Sequence, residues 1–367
     1  MGGPCVCPEE KRMKNKIKFI LTLIAIIIIG FTVWYFSSIS PKSKDVSEIE
    51  VKIPLGTGTS AIASILKDND IIKSETAFKL YVKINKVDNF QAGTYYLKPS
   101  MSVKEITEML QTGIMYDPNQ ISITYLEGKN IKWLAKTIAN KTNNTEEDVF
   151  NLLENKEYIS SLIEKYWFIE DTIKNDDIYY SLEGYLFPDT YAISNKDAKV
   201  EEIFEKMLNK MESVLEEYKV EIENSNYSIH EILTIASIIE METMKEEDRK
   251  DVSSVVYNRL GSNMAIQSDV TTYYAFNVEM GERDLYQKEI DTYNSYNTRG
   301  PNMQGKLPIG PISSSSKSSI EAAIYPNKTD YLFFVADKNG KVYFTKNNGE
   351  HETIINDLIN KGLWLEY

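Results

Sequence analysis

Cysteine is all but absent. Cys5 and Cys7, both within the first ten residues, are the whole supply in 367 residues. The rest of the chain has no thiols, so no disulfide framework holds it together and its stability must come from core burial. Histidine is equally scarce, two residues against 24 tyrosines, which leaves little material for a histidine-rich metal site. No metal and no organic cofactor is expected. Positive charge is in deficit as well: 41 Lys and Arg against 54 Asp and Glu give a net charge of −13. A partner held through its phosphates needs the opposite balance, so a nucleic acid is not expected. Glycine and proline show no collagenous or low-complexity bias.

What the sequence does have is one long apolar run. Phe19 to Phe36 contains 18 consecutive positions without a charge, near the lower end of the ~17–25 residues that cross a bilayer as a helix. Lys11, Arg12, Lys14, Lys16 and Lys18 precede it, and Trp34 and Tyr35 stand at its far end, where an aromatic interface belt is expected. The positive-inside rule places the N-terminus in the cytoplasm and the chain from about Ser37 outside. A cleaved signal peptide would need a shorter apolar core and a small-residue cleavage site, of which Ser38-Ile39-Ser40 is a weak imitation. Residues 1–18 balance to +3, so the remainder carries −16. The pattern predicts an acidic, cysteine-free ectodomain on a basic stub of residues 1–18, a transmembrane helix over 19–36 and a polar linker over 37–50.

Beyond the linker, Val51, Ile53 and Leu55 alternate as in a strand. Gly56 and Gly58 mark a turn that Thr59 or Ser60 can cap, and Ile62, Ile65 and Leu66 form a helical stripe. The same order returns about seventy residues later, with Ile123, Gly128, Leu134 and Ile138 in the corresponding places. This is a weak internal repeat of a strand–turn–helix unit. Between the copies, Phe90 to Leu97 reads as a turn entering a strand, and Ser102 and Glu105 form a capping-box signature for a helix that Gly113 ends. Residues 145–220 read as mostly helical, with a start signal at Thr145 to Asp148. Asn339-Gly340 between two apolar runs signals a hairpin, and a last helix, about Glu350 to Asn360, stops at Gly362.

Three polar clusters could carry chemistry. In the helical run from His230, positions 233, 236, 237, 240 and 244 share one face. Glu240 then lies on the apolar side beside Ala236 and Ser237, where burial would favour the protonated form that a general acid needs. Spacing alone equally allows Glu240 to begin the solvated end of the helix with Glu242, Glu246, Glu247 and Asp248. The second cluster, Gln267, Ser268 and Asp269, follows an amphipathic helix that ends at Gly261. Its polar side chains suit sugar hydroxyls, or Ser268 or Asp269 simply caps the next helix. The third joins Glu183, Tyr185, Phe187, Asp189 and Tyr191, a carboxylate–aromatic set typical of a sugar-stacking wall, although Phe-Pro-Asp-Thr is also a good turn sequence.

LEGYLFPDTY, ASIIEMET, VYNRL with QSD, SYNT with LPIGPI, and FTKNNGEH occur in this order from Leu182 to His351. The ordered set resembles the YceG-like endolytic murein transglycosylases, from about Val51 to the C-terminus. The resemblance implies an α+β protein with a LysM-like βα module over 51–118, a catalytic domain over 119–367 and peptidoglycan strands as substrate. It implies Glu240 as the catalytic acid/base, and Glu183, Gln267, Ser268, Asp269, Tyr296 and Asn297 as residues that bind or orient glycan. His351 matches the family's terminal Glu-His and reads as structural. Val270, Arg299, Ile309 and Ser313 to Ser315 depart from the family pattern, where a Pro, an aromatic, a second Pro and Asn-Pro-Gly are usual; the shape of the 294–316 loop is therefore open. Partners within a wall-synthesis complex fit the location, although no residue names one. A non-catalytic glycan scaffold and an acidic membrane-tethered adaptor are the competing readings.

Overall fold

The structure is a computed structural model and describes residues 8–113 and 120–364. The chain divides into two compact units, 1–120 and 121–367.

The first unit opens with α1 (Pro8–Ile39), of which Lys18–Ile39 is long and apolar enough to cross a membrane. Its apolar side chains, from Phe19 to Phe36, are largely exposed, as expected of a helix whose solvent is lipid. Strand β1 (Ile49–Ile53), helices α2 (Thr59–Asp68) and α3 (Glu75–Ile84), strand β2 (Gly93–Leu97) and helix α4 (Val103–Thr112) follow. The strands pair antiparallel, Ile49 opposite Leu97 and Ile53 opposite Gly93. The strand period of two turns Val51, Ile53, Tyr95 and Leu97 inward onto Ile62, Leu66, Phe78 and Ile106. The capping box at Ser102 and Glu105 forms, and Gly113 closes α4 in the left-handed conformation. At α2 the N-cap is Gly58, with no side-chain bond, rather than Thr59 or Ser60.

The polar stretch after α1 is tied down, unlike a free linker. Lys73 donates from Nζ to the Ser37 carbonyl, one of those that the end of α1 leaves open, and to Ser40 Oγ, both at 2.8 Å. Lys42 pairs with Asp70, and the Ser43 N–H donates to the Pro99 carbonyl at 3.1 Å.

The second unit repeats the opening motif. Strand β3 (Ile121–Thr124) leads through a turn into helix α5 (Ile131–Lys141). Gly128 takes φ +69° where Gly56 takes +77°, a conformation that costs any other residue, and each helix buries the matching pair, Leu134 and Ile138 or Ile62 and Leu66. Helices α6 (Glu146–Glu154) and α7 (Lys156–Lys165) precede β4 (Thr190–Ile193), which pairs antiparallel with β3. Helices α8 (Val200–Glu216) and α9 (Lys219–Glu223) lead to α10 (Ile229–Glu242). Nearly all of α10 from Ile229 to Ile239 is buried, so it is the central helix of the unit, with α11 (Arg249–Gly261), α12 (Asp269–Ala275), the short α13 (Gln287–Ile290) and α14 (Lys317–Ile324) following. A hairpin of β5 (Phe333–Ala336) and β6 (Val342–Thr345) turns at Gly340, and α15 (Asn348–Asn360) ends the described fold.

The helical run from His230 is not continuous. It stops at Glu242, Thr243 caps it, and Met244 is 90% exposed instead of continuing the apolar stripe. The architecture is α+β, its strands confined to three separate two-stranded antiparallel sheets among the described residues.

Candidate active site

A cavity of about 680 Å³ opens beside the C-terminal end of α10, within the size range of ordinary ligand sites. Ile238, Met241 and Glu242 face it from α10, at positions i, i+3 and i+4 of one helical face. Val255, Val256 and Arg259 come from α11, Gln267 to Val270 from the loop entering α12, and Phe333 to Ala336 from β5. The site therefore has an apolar floor and a small group of convergent polar side chains.

Glu242 is its most perturbed acid. Removal from water pushes its carboxyl up to about 7, helped by the negative charge of Asp269 and opposed by Ser268, Arg259 and Arg299. Ser268 Oγ donates to Glu242 Oε1 at 2.5 Å. Ser268 is itself fixed: its N–H donates to Thr298 Oγ1 at 3.0 Å, and Thr298 Oγ1 also bonds Thr271 Oγ1 at 2.7 Å. Arg259 donates to the carbonyls of Ile266 and Ala265 and to Gln267 Oε1 at 3.3 Å, which holds the loop in place. Gln267 sits at φ +57°, a strained conformation maintained where the chain bends around the cavity. Arg299 pairs with Asp269 at the exposed rim.

Glu240 faces elsewhere. At about 100° per residue, two positions along a helix are on opposite sides. Its carboxylate accepts from the Ser316 N–H at 2.9 Å and Ser316 Oγ at 2.5 Å, and pairs with Arg249 Nη2 at 3.3 Å. Ser316 is the N-cap of α14, and Arg249 begins α11. Glu240 thus staples three helices together. The expectation of a lone carboxyl in apolar surroundings is corrected by this guanidinium and serine, which helical spacing within α10 does not reveal. Glu240 does not line the cavity.

Three of the expected glycan residues, Gln267, Ser268 and Asp269, line the cavity together. Glu183, Tyr296 and Asn297 do not, and all three are sealed inside. Glu183 receives the Ile131 N–H at 3.1 Å and the Tyr274 hydroxyl at 3.1 Å, and burial pushes its carboxyl up to about 8. Gly184, at φ +78°, leaves room for Pro311, which a Cβ there would approach to 2.3 Å. This third cluster is therefore a packing joint for the 309–311 loop. Tyr296 packs on Tyr179 and Tyr274 with ring centroids 4.8 and 4.9 Å away. Asn297 Nδ2 donates to the carbonyls of Glu289, Ile290 and Thr292, and its Oδ1 accepts from Thr272, so every polar atom of the side chain is committed. These residues hold the segment that carries Thr298, and through it Ser268. Glu242, Arg259 and Arg299 are the charged residues of the site that the expected set omits; for Glu242 the available signal was its i, i+4 relation to Ile238.

A sequence model of the YceG-like family matches residues 51–357. An endolytic murein transglycosylase of Bacillus subtilis is 40% identical over 333 residues, covering 89% of each chain. One from Streptococcus pneumoniae is 32% identical over 86% of this chain, which spans 59% of that protein's length. The crystal structure of a yceG-like protein from Listeria monocytogenes superposes with a TM-score of 0.60 at 36% identity, covering 84% of this chain and 99% of that one.

Proposed function

The chain belongs to the YceG-like family, and on that premise we propose that it is an endolytic murein transglycosylase, a lyase whose acid is Glu242. The observation that carries the catalytic assignment is a half-buried carboxyl raised to about 7 inside a ligand-sized cavity, next to a hydroxyl that orients it.

A hydrolysing glycosidase uses two carboxyls, one of them to activate water or attack the sugar. A transglycosylase needs one. Glu242, protonated, gives its proton to the bridging oxygen as the bond from the muramoyl C1 breaks, releasing N-acetylglucosamine with a free hydroxyl. Positive charge builds on C1 and the ring oxygen. The Glu242 carboxylate then takes the proton from the same sugar's 6-hydroxyl, whose oxygen closes on C1. The product is a 1,6-anhydro end, no water is consumed, and the acid is regenerated. Ser268 holds the carboxyl through both steps, and the Asp269 charge keeps its affinity for the proton high.

α1 and the basic residues Lys11, Arg12, Lys14, Lys16 and Lys18 before its apolar run support a location: we place the N-terminus in the cytoplasm and both folded units outside, on a single-pass anchor near nascent wall. We assign 51–118 as a LysM-like glycan-binding module and 119–367 as the catalytic domain; Gln267 and Asp269 contact the glycan, and partners come from the wall-synthesis machinery. The test incubates the full chain in detergent with uncrosslinked glycan strands and analyses products by mass spectrometry. Anhydro ends are expected. Ordinary reducing ends would make it a hydrolase, and binding without turnover would make it a scaffold.

A further inference from the structure

The cavity has a second wall that neither α10 nor the α12 loop supplies. It comes from β5 and α15, through Phe333, Asn348, His351 and Ile355, and from Trp364 just beyond that helix. We propose that Trp364 and His351 form a sugar subsite in the Glu242 cavity, one that takes an N-acetylated hexose ring of the strand; the proposal rests on the glycan reading above.

Trp364 is half-buried, lines the cavity, and makes no hydrogen bond and no ring contact among the described residues. No described aromatic ring stacks on its indole, and no described group accepts from its Nε1–H. Aromatic faces pack against the C–H face of a pyranose, and an indole N–H is a ready donor to an acetamido carbonyl. His351 lies in the same wall with its ring stacked on Phe333, centroids 5.3 Å apart. Arg259, whose guanidinium is 4.8 Å from the centre of that Phe333 ring, ties the stack to the loop that carries Gln267. His351 Nδ1 is buried without a partner, an arrangement that is costly unless something completes it. Burial and the Arg259 charge lower the imidazole's affinity for a proton, so it meets a ligand as a neutral group. A neutral sugar with hydroxyl and acetamido groups matches a wall of this kind, whereas an anion would be drawn to Arg299 at the rim.

The subsite also explains a feature of the chain order. Trp364 and His351 lie more than 100 residues beyond Glu242, and α15 reaches the cavity because it packs on β5 and β6, of which β5 also packs on α11. The expected consequence is a split in kinetics: wall substitutions weaken binding and leave the chemical step alone.

The test titrates uncrosslinked glycan strands into the full chain in detergent, carrying E242Q so that strands bind uncut, and reads intrinsic fluorescence. The chain's tryptophans are Trp34, Trp133, Trp167 and Trp364. A strand-dependent change is expected, and W364F added to E242Q should remove it. In the otherwise unsubstituted chain, W364A should raise KM roughly tenfold with kcat within about twofold, and H351A should raise KM by about threefold. A fluorescence change that survives W364F, or an unchanged KM in a folded W364A chain that still cleaves, overturns the subsite alone. Failure of the unsubstituted chain to cleave strands overturns the activity on which it rests. Should W364A not fold, the conservative W364F comparison decides by itself.

Discussion

The two sides of the last turn of α10 do opposite work with the same residue type. On one side Glu240, with its side chain 7% exposed, meets Arg249 and the cap of α14; every strong interaction it makes is already complete. On the other, Glu242 has one hydroxyl partner, an open cavity, and a carboxyl raised to about 7. A carboxyl whose oxygens are already taken by a guanidinium, an N–H and a hydroxyl has a structural task. A carboxyl with a single hydroxyl partner, yet reachable, is suited to act as an acid. Burial is common to both and does not discriminate between them. Glu183 extends the lesson: its carboxyl is raised further, to about 8, but it is sealed from any ligand.

Exchanging the two glutamates tests the distinction most sharply. E242Q should lower kcat by roughly 10²–10⁴-fold with the fold intact, measured by anhydro-end production and a thermal melt. E240A should do the reverse. It strands Arg249 without its counter-charge and should cost about 3–5 kcal/mol of stability in a denaturant melt, while the folded fraction keeps most of its turnover. Full activity in E242Q would return the catalytic role to Glu240.

A smaller effect reads the proton itself. In the proposed mechanism Glu242 acts in its protonated form, so kcat/KM should fall as pH rises through about 7. Ser268 donates to the carboxylate and favours ionisation, so S268A should move that limb to higher pH, with the plateau rate changing by only about threefold. A limb that stays in place would mean that another group titrates.

The smallest effect concerns the sealed carboxyl. Glu183 is raised in the folded state, so its contribution is fully present below the unfolded value near 4.5 and is lost as pH rises through about 8. E183Q should flatten the decline in stability between about pH 4.5 and pH 8 without altering the kcat/KM limb near 7. A parallel change in that limb would join the two buried acids into one network.

Much of the architecture was legible beforehand because it is encoded locally. The apolar helix around Phe19 to Phe36, the capping box at Ser102, the helix start at Thr145 and the hairpin at Asn339-Gly340 each depend on residues within a few positions of one another. The repeated strand–turn–helix unit was visible for the same reason, down to its paired left-handed glycines. That Gln267, Ser268 and Asp269 lie where the chain enters a helix was also legible, since a polar triplet after one helix and before the next signals a boundary wherever it lies. Residues 37–50 looked like free linker; α1 runs on to Ile39, and the restraint on Ser37, Ser40, Lys42 and Ser43 comes from Lys73, Asp70 and Pro99, distant in sequence.

Sequence by itself determined that α10 carries glutamates on two faces, because the helical period fixes their angular separation whatever surrounds them. Only the tertiary structure decided which face meets Arg249 and Ser316 and which meets the cavity. The reason is physical. Proton affinity depends on charges and solvent within a few ångströms, and those neighbours reach α10 from α11, α14 and the α12 loop, none of which its own periodicity can specify.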